Sequence, residues 1–157
     1  LREQCELYAD SLPQSEVQNL LLYGGSGLGK TFLLKSIGVR AAGRGVSVLS
    51  LTANELLNQI RKHYFSREEE AAPWQHAQLL LIDDLGTEPM WENITIEQLF
   101  ALIDLRLTGG RHTVISTNLG LAELQRRYTE RITSRLLDAR LCRRLRFMGQ
   151  DVRLLRR

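Results

Sequence analysis

Apolar residues in this chain come in short bursts separated by polar punctuation. Asn19-Leu20-Leu21-Leu22-Tyr23 and Gln78-Leu79-Leu80-Leu81-Ile82 are continuous runs of strand length. Such runs read as strands buried on both faces. Val46 to Leu51 alternates apolar and polar side chains and predicts another strand, as do His112 to Thr117 and Arg143 to Met148. Between these runs the period lengthens to that of a helix. Leu7, Tyr8 and Leu12 mark a short helix over 3–12, ending before Pro13. Phe32, Leu33, Leu34 and Ile37 mark one over 31–42. Leu56, Leu57 and Ile60 mark one over 53–64, with Thr52 and Glu55 spaced as a capping box. Leu99, Phe100, Leu102 and Ile103 mark one over 94–107, stopped by Gly109-Gly110. Two more helical stretches follow, about 121–128 and 130–139. Residues 66–77 are polar, contain Pro73, and predict a connector with room for a helical turn, in which Glu68-Glu69-Glu70 is a solvated face.

Strands alternating with helices predict a three-layer α/β fold around a parallel sheet. A length of 157 residues fits one domain with a sizeable core, and neither a linker nor an internal repeat is visible. The hydrophobic content of 43% and charged content of 25% are those of a soluble globular protein. No apolar run approaches the roughly 20 residues that span a bilayer, and Leu1 to Glu6 is not a signal peptide. Cys5 and Cys142 lack the spacing of metal ligands and read as two reduced thiols in a cytoplasmic protein. The first residue is not Met, which fits a fragment of something longer. The net charge of +3 is unevenly spread. From Arg126 onward, 11 Arg face three acids, whereas the first 125 residues carry 10 basic and 15 acidic side chains. An arginine-rich end on an acidic body points to an anionic partner, since guanidinium groups bind phosphate and carboxylate bidentately.

One motif between the first strand and the second helix carries the chemistry. Gly24-Gly25-Ser26-Gly27-Leu28-Gly29-Lys30-Thr31 fits G-x-x-x-x-G-K-[ST], the phosphate-binding loop of P-loop NTPases. The glycines let successive backbone N–H groups curl around a phosphate chain, and the helix that follows, with Thr31 and Phe32 in its first turn, aims its positive end at the same anion. Lys30 is expected to reach the β- and γ-phosphates, and Thr31 to offer its hydroxyl to Mg²⁺. ATP and Mg²⁺ are therefore the expected cofactors.

Three further groups complete the expected site. Asp83 ends a buried apolar strand and is placed to hold the Mg²⁺ shell, the Walker B role. Asp84 next to it is a candidate for orienting the attacking water. It is one methylene shorter than the glutamate many ATPases use, so Glu88 is a second candidate. Asn118 ends the fourth strand, where a neutral polar side chain can bond both the γ-phosphate and the water; the alternative for it is an Asx turn. Arg127, Arg131 and Arg135 are spaced by four, so one helix would stack them on one face. That stripe is either a surface ladder with Glu123 and Glu130 or a source of an arginine finger for a neighbouring subunit. Arg153 is a candidate for closing the site in cis.

These residues together resemble the AAA+ ATPases, and within them the bacterial replicative helicase loaders of the DnaC/DnaI type, from about Asn19 to Arg153. The stretches that carry the resemblance are Ile82-Asp83-Asp84-Leu85-Gly86-Thr87-Glu88, Ile115-Ser116-Thr117-Asn118-Leu119, Tyr128 to Leu136 with its E-R-I-x-x-R, and Gly149-x-Asp151-x-Arg153. The resemblance implies a five-stranded parallel sheet of order 5-1-4-3-2 without a C-terminal helical lid. It implies that Arg135 is the trans-acting finger through which subunits self-associate, and that Arg153 is the sensor 2 arginine. It implies two partners, a replicative DNA helicase and single-stranded DNA, and no membrane. The N-terminal domain with which such loaders grip the helicase is absent from this sequence. The tip at Arg61, Lys62, Tyr64 and Phe65 lies where the family contacts single-stranded DNA, and a basic pair beside aromatics suits a strand-tracking surface. It is equally an ordinary amphipathic helix end. The competing readings are the related ATPase that assists insertion-sequence transposases, which tends to carry Asp-Glu where this chain has Asp83-Asp84, and a P-loop small-molecule kinase. No Asn-Lys-x-Asp motif argues for a GTPase.

Overall fold

The computed structural model describes residues 1–67 and 70–151. Seven helices and five strands follow in the order α1 (Arg2–Ser11), β1 (Asn19–Gly24), α2 (Lys30–Ala42), β2 (Val48–Thr52), α3 (Ala53–Ser66), α4 (Pro73–His76), β3 (Leu79–Leu85), α5 (Thr95–Thr108), β4 (His112–Thr117), α6 (Leu121–Arg127), α7 (Glu130–Leu137) and β5 (Cys142–Phe147). The strands form one sheet in the order β2-β3-β4-β1-β5 with every pair parallel. This is the expected order read from the other edge.

The apolar runs explain the layers. In a strand successive side chains point to opposite faces, so a run without polar interruption feeds two cores at once. Leu20 and Leu22 of β1, Leu79 and Leu81 of β3 and Val114 of β4 pack with Leu34 and Ile37 of α2 and Tyr8 of α1. Leu21, Leu80, Ile82 and Ile115 point the other way, onto Leu56 and Ile60 of α3, Leu99 and Ile103 of α5, and Ile132 and Leu136 of α7. Outside the core, α1 is fastened to α2 by Arg40, whose guanidinium donates twice to the Asp10 carboxylate at 2.7 Å.

Most element boundaries differ from the sequence reading by one or two residues, and the connector over 66–77 contains the short helix α4. Val46 lies outside β2, because its N–H closes the end of α2 on the Ala41 carbonyl at 3.1 Å. Ser47 is then spent on Gln78, which it bonds through both its N–H and its hydroxyl, so the ladder with β3 begins at Val48. The fifth strand starts one residue earlier than expected, at Cys142. Among the described residues no helix follows β5, and none is long and apolar enough to cross a membrane.

Both cysteines are buried and unpaired. Burial raises the Cys5 thiol above its ordinary value and pushes Cys142 up to about 12. A thiol reagent at pH 8 is therefore expected to label less than roughly a tenth of the thiols in the native protein, and both after denaturation, because only the thiolate reacts. Rapid stoichiometric labelling of either cysteine in the native state would contradict this packing.

Candidate functional site

The phosphate-loop sequence lies between the end of β1 and the start of α2, at the carboxyl edge of the sheet. Two of its glycines are required by close approach. Gly24, at φ 138°, has room for no side chain, because a Cβ would stand 2.2 Å from the Phe147 carbonyl oxygen of β5. At Gly27, φ 72°, a Cβ would stand 2.0 Å from the Asp151 carboxylate, so the segment after β5 lies directly against the loop. Lys30 is only 5% exposed, and its Nζ donates to the carbonyls of Gly24 and Gly25 at 2.8 and 2.5 Å.

Beside the loop is a cleft of about 500 Å³ lined by Ser26, Gly27, Leu28, Gly29, Lys30, Thr31, Phe32, Lys35, Asp84 and Asn118. This is within the usual size for a small-molecule site. Asp83 adjoins the cleft through Thr31, which lines it. Its Oδ1 accepts from the Thr31 hydroxyl at 3.0 Å and also from the Ser116 hydroxyl. A hydroxyl and a carboxylate side by side are the hard oxygen donors that Mg²⁺ takes one or two at a time from protein, leaving the rest of its shell to water and phosphate. The chain therefore offers a fitting pair for that ion in Thr31 and Asp83.

Asp84 carries the strain of the site. Its φ is 58°, a left-handed conformation uncommon for a residue with a side chain. Three hydrogen bonds hold it there. Its N–H donates to Ser116 Oγ at 3.0 Å, and its carbonyl accepts from the N–H and hydroxyl of Thr87 at 3.2 and 2.8 Å. The side chain faces the cleft, where Asn118 Nδ2 donates to its Oδ1 at 3.3 Å. The structure thus brings Asp83, Asp84, Asn118 and the loop together. Ser116, which ties β4 to both aspartates, was not singled out by the sequence reading; its signal was its position two residues before Asn118 at a strand end.

Glu88 is not a second water-orienting candidate. Its carboxylate is fully buried, accepts the Gly86 N–H at 2.7 Å and the Tyr128 hydroxyl, and lies 3.6 Å from Arg127 Nε. Burial first, and then the Glu88 carboxylate, pushes the Tyr128 phenol above its ordinary range, so this hydroxyl stays a donor. The arginine stripe is also corrected. Arg127 ends α6, Tyr128 is extended at φ −111° and ψ 157°, and Arg131 and Arg135 belong to the separate helix α7. The partners are not Glu123 and Glu130. Arg131 and Arg135 both lie over the Phe100 ring, at 4.1 and 4.5 Å, and Arg135 Nε pairs with Asp104 at 2.8 Å. Arg135 lines a different hollow, with Gln18, Asp104 and Asp138.

At the far end of α3, Tyr64 and Phe65 are 52% and 61% exposed and meet edge to face at 5.3 Å. Arg61 lies 4.8 Å over the Trp91 ring and 5.9 Å from Phe65, and Lys62 is exposed. Arg153 lies outside the described residues.

Several known proteins are similar to this chain in sequence or fold. A chromosomal replication initiator protein DnaA from Chloroflexus aggregans is 34% identical over 120 residues, which are 73% of this chain and 24% of that protein. An insertion sequence IS232 putative ATP-binding protein from Bacillus thuringiensis is 31% identical over 104 residues, 65% of this chain and 41% of that one. The crystal structure of the DnaC helicase loader superposes with a TM-score of 0.80 at 19% identity, covering 93% of this chain and 87% of that one. A DnaA bound to AMPPCP and single-stranded DNA superposes at 0.76 and 20% identity, covering 94% and 45%. The chain spans only about a quarter of the DnaA relative. The model of the IstB-like ATP binding protein matches residues 11–157, so the chain belongs to that family of P-loop ATPases.

Proposed function

We propose that this chain is the ATPase domain of a loader that places a replicative DNA helicase on single-stranded DNA, with ATP hydrolysis as its timer. One observation carries the reading. Asp83, Asp84 and Asn118 converge on the phosphate loop, while Arg135 is held away from that cleft on α7, over Phe100 and against Asp104. Among the described residues the cations lining the cleft are Lys30 and Lys35. A second copy presenting its α7 supplies the guanidinium that the transferring phosphoryl group needs. Thr31 and Asp83 would hold Mg²⁺, which would supply neutralising charge to the phosphate chain. Asp84 takes a proton from the attacking water as its oxygen bonds to the γ-phosphorus, and the bridging oxygen leaves with ADP. Asn118 orients that water. Arg61, Lys62, Tyr64 and Phe65 offer charge and stacking to a single strand, the combination seen in strand-binding surfaces.

The test is ATPase rate against protein concentration, with and without single-stranded DNA. The rate is expected to rise more steeply than linearly, to rise further with DNA, and to fall at least about a thousandfold in Arg135→Ala, the magnitude of an arginine finger. A rate proportional to concentration and indifferent to Arg135 overturns the reading. A second reading, an ATPase that assists an insertion-sequence transposase, is favoured by the family match and by the IS232 relative. Mixing the full-length protein with the replicative helicase or with the transposase, and weighing the complexes, separates the two.

A further inference from the structure

Glu88 is the one buried carboxylate among the described residues, and the chemistry of the cleft does not use it. Burying an ion is costly unless hydrogen bonds satisfy it, and here both carboxylate oxygens accept one. What the charge provides is direction. Oε2 accepts the Gly86 N–H at 2.7 Å, within the turn that carries Asp84. Oε1 accepts the Tyr128 hydroxyl, and Tyr128 adjoins Thr129, which occupies the N-cap position of α7 without a side-chain capping bond. Arg127 adds a bond from its Nη2 to the Glu88 carbonyl at 2.7 Å. Three residues thus join the turn after β3 to the junction of α6 and α7, 40 positions away in sequence. The junction is not fully closed. Arg127 Nε is buried without a hydrogen-bond partner, 3.6 Å from Glu88 Oε1. A hydrogen bond forms at about 2.9 Å, so a small movement of the α6–α7 junction would complete the network.

We propose that Glu88, Tyr128 and Arg127 form a coupling element. In it, contact of α7 with a second copy of the chain closes the network and aligns Asp84 for hydrolysis. Glu88 and Tyr128 are positioning residues, since they act through the Asp84 turn and neither lines the cleft. The inference rests on the reading of α7 as the assembling face.

Tyr128→Phe removes one hydroxyl and keeps the ring, and Glu88→Gln keeps the shape and loses the charge. For each, kcat and KM for ATP are measured in dilute protein and at concentrations where the wild type is stimulated, together with nucleotide affinity and the midpoint of the concentration dependence. Stimulation by assembly is expected to fall at least tenfold in both variants. KM, nucleotide affinity, the midpoint and the dilute rate are expected to stay within about twofold. The double variant is expected to lose no more than the worse single one, because both interrupt one path. Stimulation retained in both variants overturns the inference alone. Equal losses in dilute and assembled protein also overturn it, since they show a local structural role. A wild-type rate strictly proportional to concentration removes the assembling reading and the inference with it.

Discussion

A Lys30→Ala variant is expected to lose nucleotide binding at working concentrations, and hydrolysis with it. The ammonium is nearly buried and is held over the loop by the Gly24 and Gly25 carbonyls, which aim it at the space where a phosphate chain lies against the loop amides. Charge-assisted hydrogen bonds contribute about 1.5–3 kcal/mol each, and Lys30 is placed to make more than one to the β- and γ-phosphates. A loss of about 3–4 kcal/mol is a factor of several hundred in affinity. Lys35 serves as the internal comparison. It lines the same cleft but is exposed, so Lys35→Ala is expected to weaken binding by no more than about threefold, as screened surface charges do. Leu34 and Ile37 keep α2 seated in its core, so the melting temperature of Lys30→Ala is expected to change by no more than about 3 °C. Titration with a fluorescent ATP analogue checks the contrast. Equal effects of the two lysines would mean that the cleft reads overall charge and not the reach of Lys30.

The parts of this site that were legible in the sequence are local. The loop, Asp83 at a strand end and Asn118 at another depend on spacing along a few residues, and a parallel sheet brings its strand ends together whatever lies between. The parts that were not legible depend on distant pairs. Glu88 reads as an acid near a catalytic turn, and nothing in its neighbours announces Tyr128. The stripe of Arg127, Arg131 and Arg135 failed because a spacing of four presumes a continuous helix, whereas the break between the two stretches read over 121–128 and 130–139 puts Arg127 on one helix and the other two on the next. Thr129 followed by Glu130 was the available signal, a capping residue before a negative charge that favours a helix start. Arg106 was missed for another reason. At the end of a helix before two glycines, an arginine reads as exposed.

Arg106→Met is expected to cost about 3–4 kcal/mol of stability and to lower the melting temperature by roughly 10 °C. The residue is 1% exposed, and no ion pair among the described residues involves it. Instead its guanidinium donates to the Thr113 hydroxyl at 2.9 Å, to the carbonyls of Trp74 and Ala77 at 2.9 and 3.0 Å, and to the His112 carbonyl at 2.6 Å. It therefore ties α4, α5 and β4 together and sets where the connector from α3 returns to the sheet. Burial pushes the group down to about 10, with Arg111 nearby a smaller cause, yet at neutral pH it is charged whether folded or unfolded. Replacing a buried ion pair by apolar residues is often harmless because both partners leave together. Here the partners include three backbone carbonyls that no substitution can remove, so the variant leaves them buried without donors. Arg106→Lys keeps the charge but not the planar fork, and is expected to lose about half as much. Urea unfolding of the two variants decides the matter. A methionine variant within about 1 kcal/mol of wild type would show that water reaches these carbonyls and that the connector is held by packing around Trp74.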